Sequence, residues 1–126
     1  MIPTRWRSLF DDQLADAARR VDGAQKYRAA EEGSRAIQAA YQAVVAAASI
    51  RVWMIDYPWV TTLPASEMQR RAAAEFPAHY AALATMNLSA MLTGFWSADS
   101  ARSYVEEADT FVRETQERFD AWIAAS

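Results

Sequence analysis

Cysteine is absent from this chain of 126 residues, which excludes disulfides, thiolate catalysis and cysteine-bound zinc. Glycine and proline are scarce: three Gly and four Pro leave room for long unbroken elements. Long apolar runs are missing too. The longest, Ala43 to Ala48, is far shorter than a membrane span. The opening MIPTRWRSLFDD has no apolar stretch of the signal-peptide kind, so the expected compartment is the cytoplasm. Nor is there a basic excess. Duplex binders gain most of their affinity by neutralising phosphates, and a net charge of −3 argues against duplex DNA as a partner.

What the chain has is alanine, 28 of them, and alanine is the strongest helix former. A hydrophobic fraction of 52% and a charged fraction of 23% suit a globular protein, and the length suits one domain, 1–126. Charge is unevenly spread. Residues 1–71 carry ten basic against eight acidic side chains, whereas residues 72–126 carry three against eight.

Apolar periodicity predicts four helices and no strand. Trp6, Phe10, Leu14, Ala17 and Val21 recur at steps of three and four, predicting a first helix from about Thr4 to Val21. Leu9 and Ala18 widen that stripe, and Asp22-Gly23 supplies a stop. A second helix is expected from about Gln25 to Ile55, on the stripe Ile37, Tyr41, Val44, Ala48, Val52 and Ile55. Its apolar residues surround most of the circumference, so it should be the central helix; Gly33 is where it could break. YPWVTTLPAS, residues 57–66, reads as the main loop, with Pro58 and Pro64 barring helix. Ser66 and Gln69 form a capping-box pattern for a third helix reaching about Leu92, which stays in phase through Pro77 and is therefore expected to kink there. A fourth helix is expected over about 99–124, on Tyr104, Val105, Ala108, Phe111, Val112, Thr115, Phe119, Trp122 and Ile123. The expected architecture is all-α, an antiparallel four-helix bundle.

Three segments carry a resemblance. Ser34-Arg35-Ala36-Ile37-Gln38-Ala39-Ala40-Tyr41, SEMQRRAAAEFPAHYAAL (66–83) and SADSARSYVEEADTFVRETQERF (97–119) resemble the second, third and last helices of the HEPN superfamily, small helical bundles. The likeness implies a HEPN-like bundle that pairs as a homodimer. It also implies work beside a nucleotidyltransferase or on RNA, as in toxin–antitoxin systems. Many members are metal-independent ribonucleases built on an arginine, four to six intervening residues and a histidine. The one histidine here is His79, and the positions that would hold its arginine are Ala72, Ala73 and Ala74. Arg70 and Arg71 lie too far back, and Asn87 is the only polar echo in MNLSAMLTGFW. The departure predicts a non-catalytic protein. The alternatives are a ribonuclease with a displaced site drawn from Arg35, Arg70, Arg71 and His79, or a bundle holding a small ligand.

Individual residues have two readings each. Arg35 can grip an anion with its planar fork, or pair with Glu31 or Glu32 at the edge of its helix. His79 can move a proton, or be a hydrogen-bonded histidine beside Pro77. Trp53, Tyr57 and Trp59 can form an interface, or cap an open end of the core. Met86, Met91, Phe95 and Trp96 can line a pocket or pack in the core. The acids of the last helix read as a solvated face, since no Glu-x-x-His motif supports a di-metal bundle site. No cofactor motif is present, so neither a metal nor a cofactor is expected.

Overall fold

The structure, a computed structural model, describes residues 2–57, 62–83, 96 and 98–125. Among them lie five helices and no strand: α1 (Thr4–Ala29), α2 (Gly33–Asp56), α3 (Ala65–Ala74), α4 (Ala78–Ala81) and α5 (Ala98–Ala125). No described helix is long and apolar enough to cross a membrane.

The break between the first two helices falls later than Gly23. The helix runs straight through Gly23, because nothing at that position forces the backbone out of helical geometry, and ends at Ala29. The reversal occupies only 30–32. Ala30 N–H donates to the Lys26 carbonyl at 3.0 Å, Glu31 N–H to Arg28 at 3.0 Å and Glu32 N–H to Tyr27 at 2.8 Å. Glu31 sits at φ 62°, a left-handed conformation that strains a residue bearing a Cβ. Gly33 then opens α2 where a Cβ would stand 3.0 Å from the Trp96 carbonyl oxygen, so close approach explains that glycine.

So short a turn folds α2 back along α1. Gln13 Nε2 accordingly donates to the Ala46 carbonyl at 3.1 Å across the pair. Small side chains make the seam: Ala17, Ala24, Ala36, Ala40, Ala43 and Ala47 are all fully buried. Larger residues of the same core are Ile37, Val44, Tyr80, Leu83 and Val105. Burying one such aliphatic side chain contributes about 1.5–3 kcal/mol. Of the expected stripes, Phe10, Leu14, Ala17 and Val21 in α1 and Val105, Ala108, Phe111, Val112, Thr115 and Phe119 in α5 are buried; Trp6, Tyr104, Trp122 and Ile123 are half-buried, and Leu9 and Ala18 face solvent. In α2 Ile37, Val44, Ala48 and Val52 of the stripe are buried and Tyr41 is half-buried. Ile55, one turn beyond Val52 and near the end of the helix, is 65% exposed.

Named pairs fix the remaining directions. Phe10 packs edge-on to Phe119 at 6.1 Å, Gly33 meets Trp96, and Arg51 bonds Thr115. Hence α5 runs parallel to α2 and antiparallel to α1. The α3–α4 segment returns along α2, with Phe76 edge-on to Tyr41 at 5.9 Å and the Tyr80 hydroxyl donating to the Tyr104 carbonyl at 2.5 Å.

The continuous third helix kinked at Pro77 is not what forms. α3 stops at Ala74, and Pro77 takes ψ 152° before α4 begins. Proline lacks an N–H and bars helical geometry at Phe76 before it, so an in-phase apolar pattern is cut into two pieces. The start differs as well: Pro64 precedes α3 with no side-chain cap, and Ser66 lies inside the helix.

Candidate functional site

Between α2, the turn that joins α3 to α4, and α5 lies a cleft of about 540 Å³, lined among others by Arg51, Glu75, Pro77, Glu106, Glu107 and Glu114. Arg51 is its floor. It is the only charged residue between Arg35 and Asp56, and α2 carries it to the face turned toward α5. The residue is 6% exposed. Its Nε donates to Thr115 Oγ1 at 2.7 Å and its Nη2 to the Phe111 carbonyl at 3.2 Å. The guanidinium also lies 3.8 Å from the centre of the Phe111 ring, and Nη2 is 3.7 Å from Glu114 Oε2. Burial, and then the Arg118 charge, lower its pKa, while Glu114 and Glu75 oppose them.

His79, on α4, stands at the far side of Glu107. Its Nδ1 is hydrogen-bonded to Glu107 Oε2, and its ring lies 6.1 Å from that of Tyr104. The Tyr104 hydroxyl donates to the His79 carbonyl at 3.4 Å. Its neighbour Tyr80 is fully buried, and desolvation pushes that phenol well above its ordinary pKa. It is a structural hydrogen-bond donor.

The other residues singled out by sequence are dispersed. Arg70 and Arg71 both bond Glu67 on their own helix, at 3.0 and 3.2 Å from their Nε atoms. Together, Arg70 first, they hold the Glu67 carboxyl at a pKa of about 2. Arg35 Nη1 is 3.9 Å from Glu32, one turn earlier, and the side chain is largely exposed. Trp53 and Tyr57 pack into an aromatic cluster at one end of the core. Trp53 lies 5.1 Å from Trp6 and 5.0 Å from Phe10, and Tyr57 lies 5.8 Å from Trp122. Trp59, Asn87, Met86, Met91 and Phe95 lie outside the described residues, whereas Trp96 packs edge-on to Tyr104 at 5.9 Å.

The chemistry available follows from this placement. Four carboxylates and one guanidinium line the cleft. At an effective dielectric of ~20, a phosphate roughly 5–8 Å from each carboxylate meets about 2–3 kcal/mol of repulsion from each. One arginine already tied to Thr115 and Phe111 does not offset that. Sequence reading missed Arg51, although a single charge within the twenty residues 36–55 was a usable signal. No group of three or more His, Asp or Glu able to hold a metal ion occurs among the described residues. No family model, curated protein or solved structure matches the chain.

Proposed function

We propose that the chain is a non-catalytic binding or regulatory protein. In this reading it is an antiparallel four-helix, HEPN-like bundle, homodimeric, serving beside a nucleotidyltransferase or another RNA-acting system. The observation that carries the reading is the partner of its one imidazole. A nuclease of the HEPN kind needs a histidine to move a proton and an arginine to hold the phosphate charge. His79 is engaged by the carboxylate of Glu107, and Arg35, Arg70 and Arg71 each lean on a glutamate of their own segment. Arg51, the guanidinium that lines the cleft, is pinned by Thr115 and shares that cleft with four glutamates.

The test is incubation of the protein and of His79→Ala with single-stranded RNA. The RNA stays intact with both. Cleavage that disappears in His79→Ala would overturn the proposal. For the assembly, a solution mass of about twice 14.1 kDa is expected, and a strict monomer removes the homodimer. The size of the Arg51 cleft favours a second reading, a small cationic ligand held between α2, α3 and α5. Thermal stabilisation by an amine panel, lost in Glu107→Gln, separates it from the first.

A further inference from the structure

On the opposite side of α2 from Arg51, α1 and α2 enclose a second cleft of about 490 Å³. Its lining is the chemical inverse of the first. From α1 come Arg20, Gly23 and Tyr27, and from α2 come Arg35, Gln38 and Gln42, with no carboxylate among the described residues that line it. Each helix contributes the same spacing, i, i+3 and i+7, which places three residues on one face. Because the helices are antiparallel, Arg20 lies at the Gln42 end and Arg35 at the Tyr27 end. Seven residues of helical rise set the two arginines about 10 Å apart.

Two features mark the groove as built. Arg20 is held from both helices, its Nε donating to Asp16 at 2.8 Å and its Nη1 bonded to Gln42. That contact, more than any other, keeps the Asp16 carboxyl below its usual range. Gly23 is the second feature. A glycine inside a helix costs about 1 kcal/mol relative to alanine. Packing does not require it, since a Cβ there meets nothing within 4 Å. Gly23 lines the groove midway between Arg20 and Tyr27 on α1, and its missing side chain leaves that position open.

We infer that this groove binds an acidic peptide segment of a partner protein, in polyproline II form, with two carboxylates three residues apart. Three residues of polyproline II chain make one turn and span about 9 Å, which returns the second carboxylate to the same face at close to the separation of the arginine ends. Arg35, whose contact with Glu32 is exposed and 3.9 Å long, turns its fork to one carboxylate, and Arg20, positioned through Nε by Asp16 and through Nη1 by Gln42, offers its Nη2 to the other. Gln38 and Gln42 carry both donors and acceptors, as a peptide backbone does. Gly23 lets that backbone come close. The inference rests on the reading of the chain as a binding protein but uses none of the residues around His79. The two therefore fail separately: RNA cleavage would sink the first and leave this groove untouched.

The experiment is fluorescence polarisation on the full chain with a labelled peptide carrying two glutamates separated by two alanines. Saturable binding is expected. Arg35→Gln and Gly23→Leu should each weaken it about tenfold or more, as expected for loss of a charge-assisted contact or of the groove itself. Arg113→Gln, which lies on α5 beside Asp109, should leave it unchanged. A peptide with glutamines in place of the glutamates should not bind. Circular dichroism confirms that both variants fold, since Arg35 is exposed and the Gly23 position is open. Absence of saturation overturns the inference, as does binding indifferent to Arg35→Gln and Gly23→Leu. Tighter competition by a nucleotide or by inorganic phosphate than by free acidic peptide would reassign the groove to phosphates.

Discussion

Arg51 and Thr115 join the two parallel helices of the core through one hydrogen bond, Nε to Oγ1, 2.7 Å long. Thr115 in turn donates its hydroxyl hydrogen to the Phe111 carbonyl at 2.8 Å, the carbonyl that also receives Arg51 Nη2. Three groups thereby satisfy one another within a nearly closed space, which is the condition for burying a charge without a large penalty.

Removing the arginine breaks that arrangement from one side. Arg51→Ala should cost about 2–4 kcal/mol, combining lost packing of the aliphatic stem with lost charged hydrogen bonds. Arg51→Met, which keeps the stem volume, should cost less. Urea unfolding of the two variants measures the difference. Equal, near-zero losses would mean that the guanidinium is solvated.

The glycines of the first two helices should respond in opposite directions. Gly23→Ala should stabilise the fold by about 0.5–1 kcal/mol, because the helix continues through an open position. Gly33→Ala should destabilise it by about 1 kcal/mol or more, since the new methyl presses on the Trp96 carbonyl. Thermal unfolding of the pair checks both signs at once.

Acid should weaken α3 through Glu67. Its carboxyl is held at about 2, below the ordinary 4.5, by Arg70 first and Arg71 second. A group with a depressed folded pKa contributes stability above its unfolded pKa and loses it as pH falls toward the folded value. The stability gap between the wild type and Glu67→Gln should therefore be constant above about pH 5 and close between pH 4.5 and 2. A gap that persists at pH 2 would show that the ion pairs are not its source.

The parts of this fold that were legible in the sequence are those set by periodicity. Phe10, Leu14, Ala17 and Val21 in α1, and Val105, Ala108, Val112, Thr115 and Phe119 in α5, are buried as their spacing requires. Two local choices were not legible. Gly23 has the chemistry of a helix stop, yet the helix runs on to Ala29, with Ala24 fully buried in the core, and the turn backbone finds its partners only at Lys26, Tyr27 and Arg28. Pro77 sits in an unbroken apolar phase, and its missing N–H overrides that phase. At the site, the relation of Arg35 to Glu32 followed from helical spacing. The approach of Arg51 to Glu75 and of His79 to Glu107 joins residues far apart in the chain, and no local pattern encodes such a meeting.

The most direct test of the central claim is a nitrogen–proton correlation spectrum of His79, Arg51 and Arg20 side chains during titration with single-stranded RNA. If the His79 cleft is no place for phosphate, the imidazole and the Arg51 Nε resonances stay where they are at every RNA concentration. Should those two signals move together and saturate with RNA, the cleft holds the polyanion after all, and the non-catalytic account is wrong.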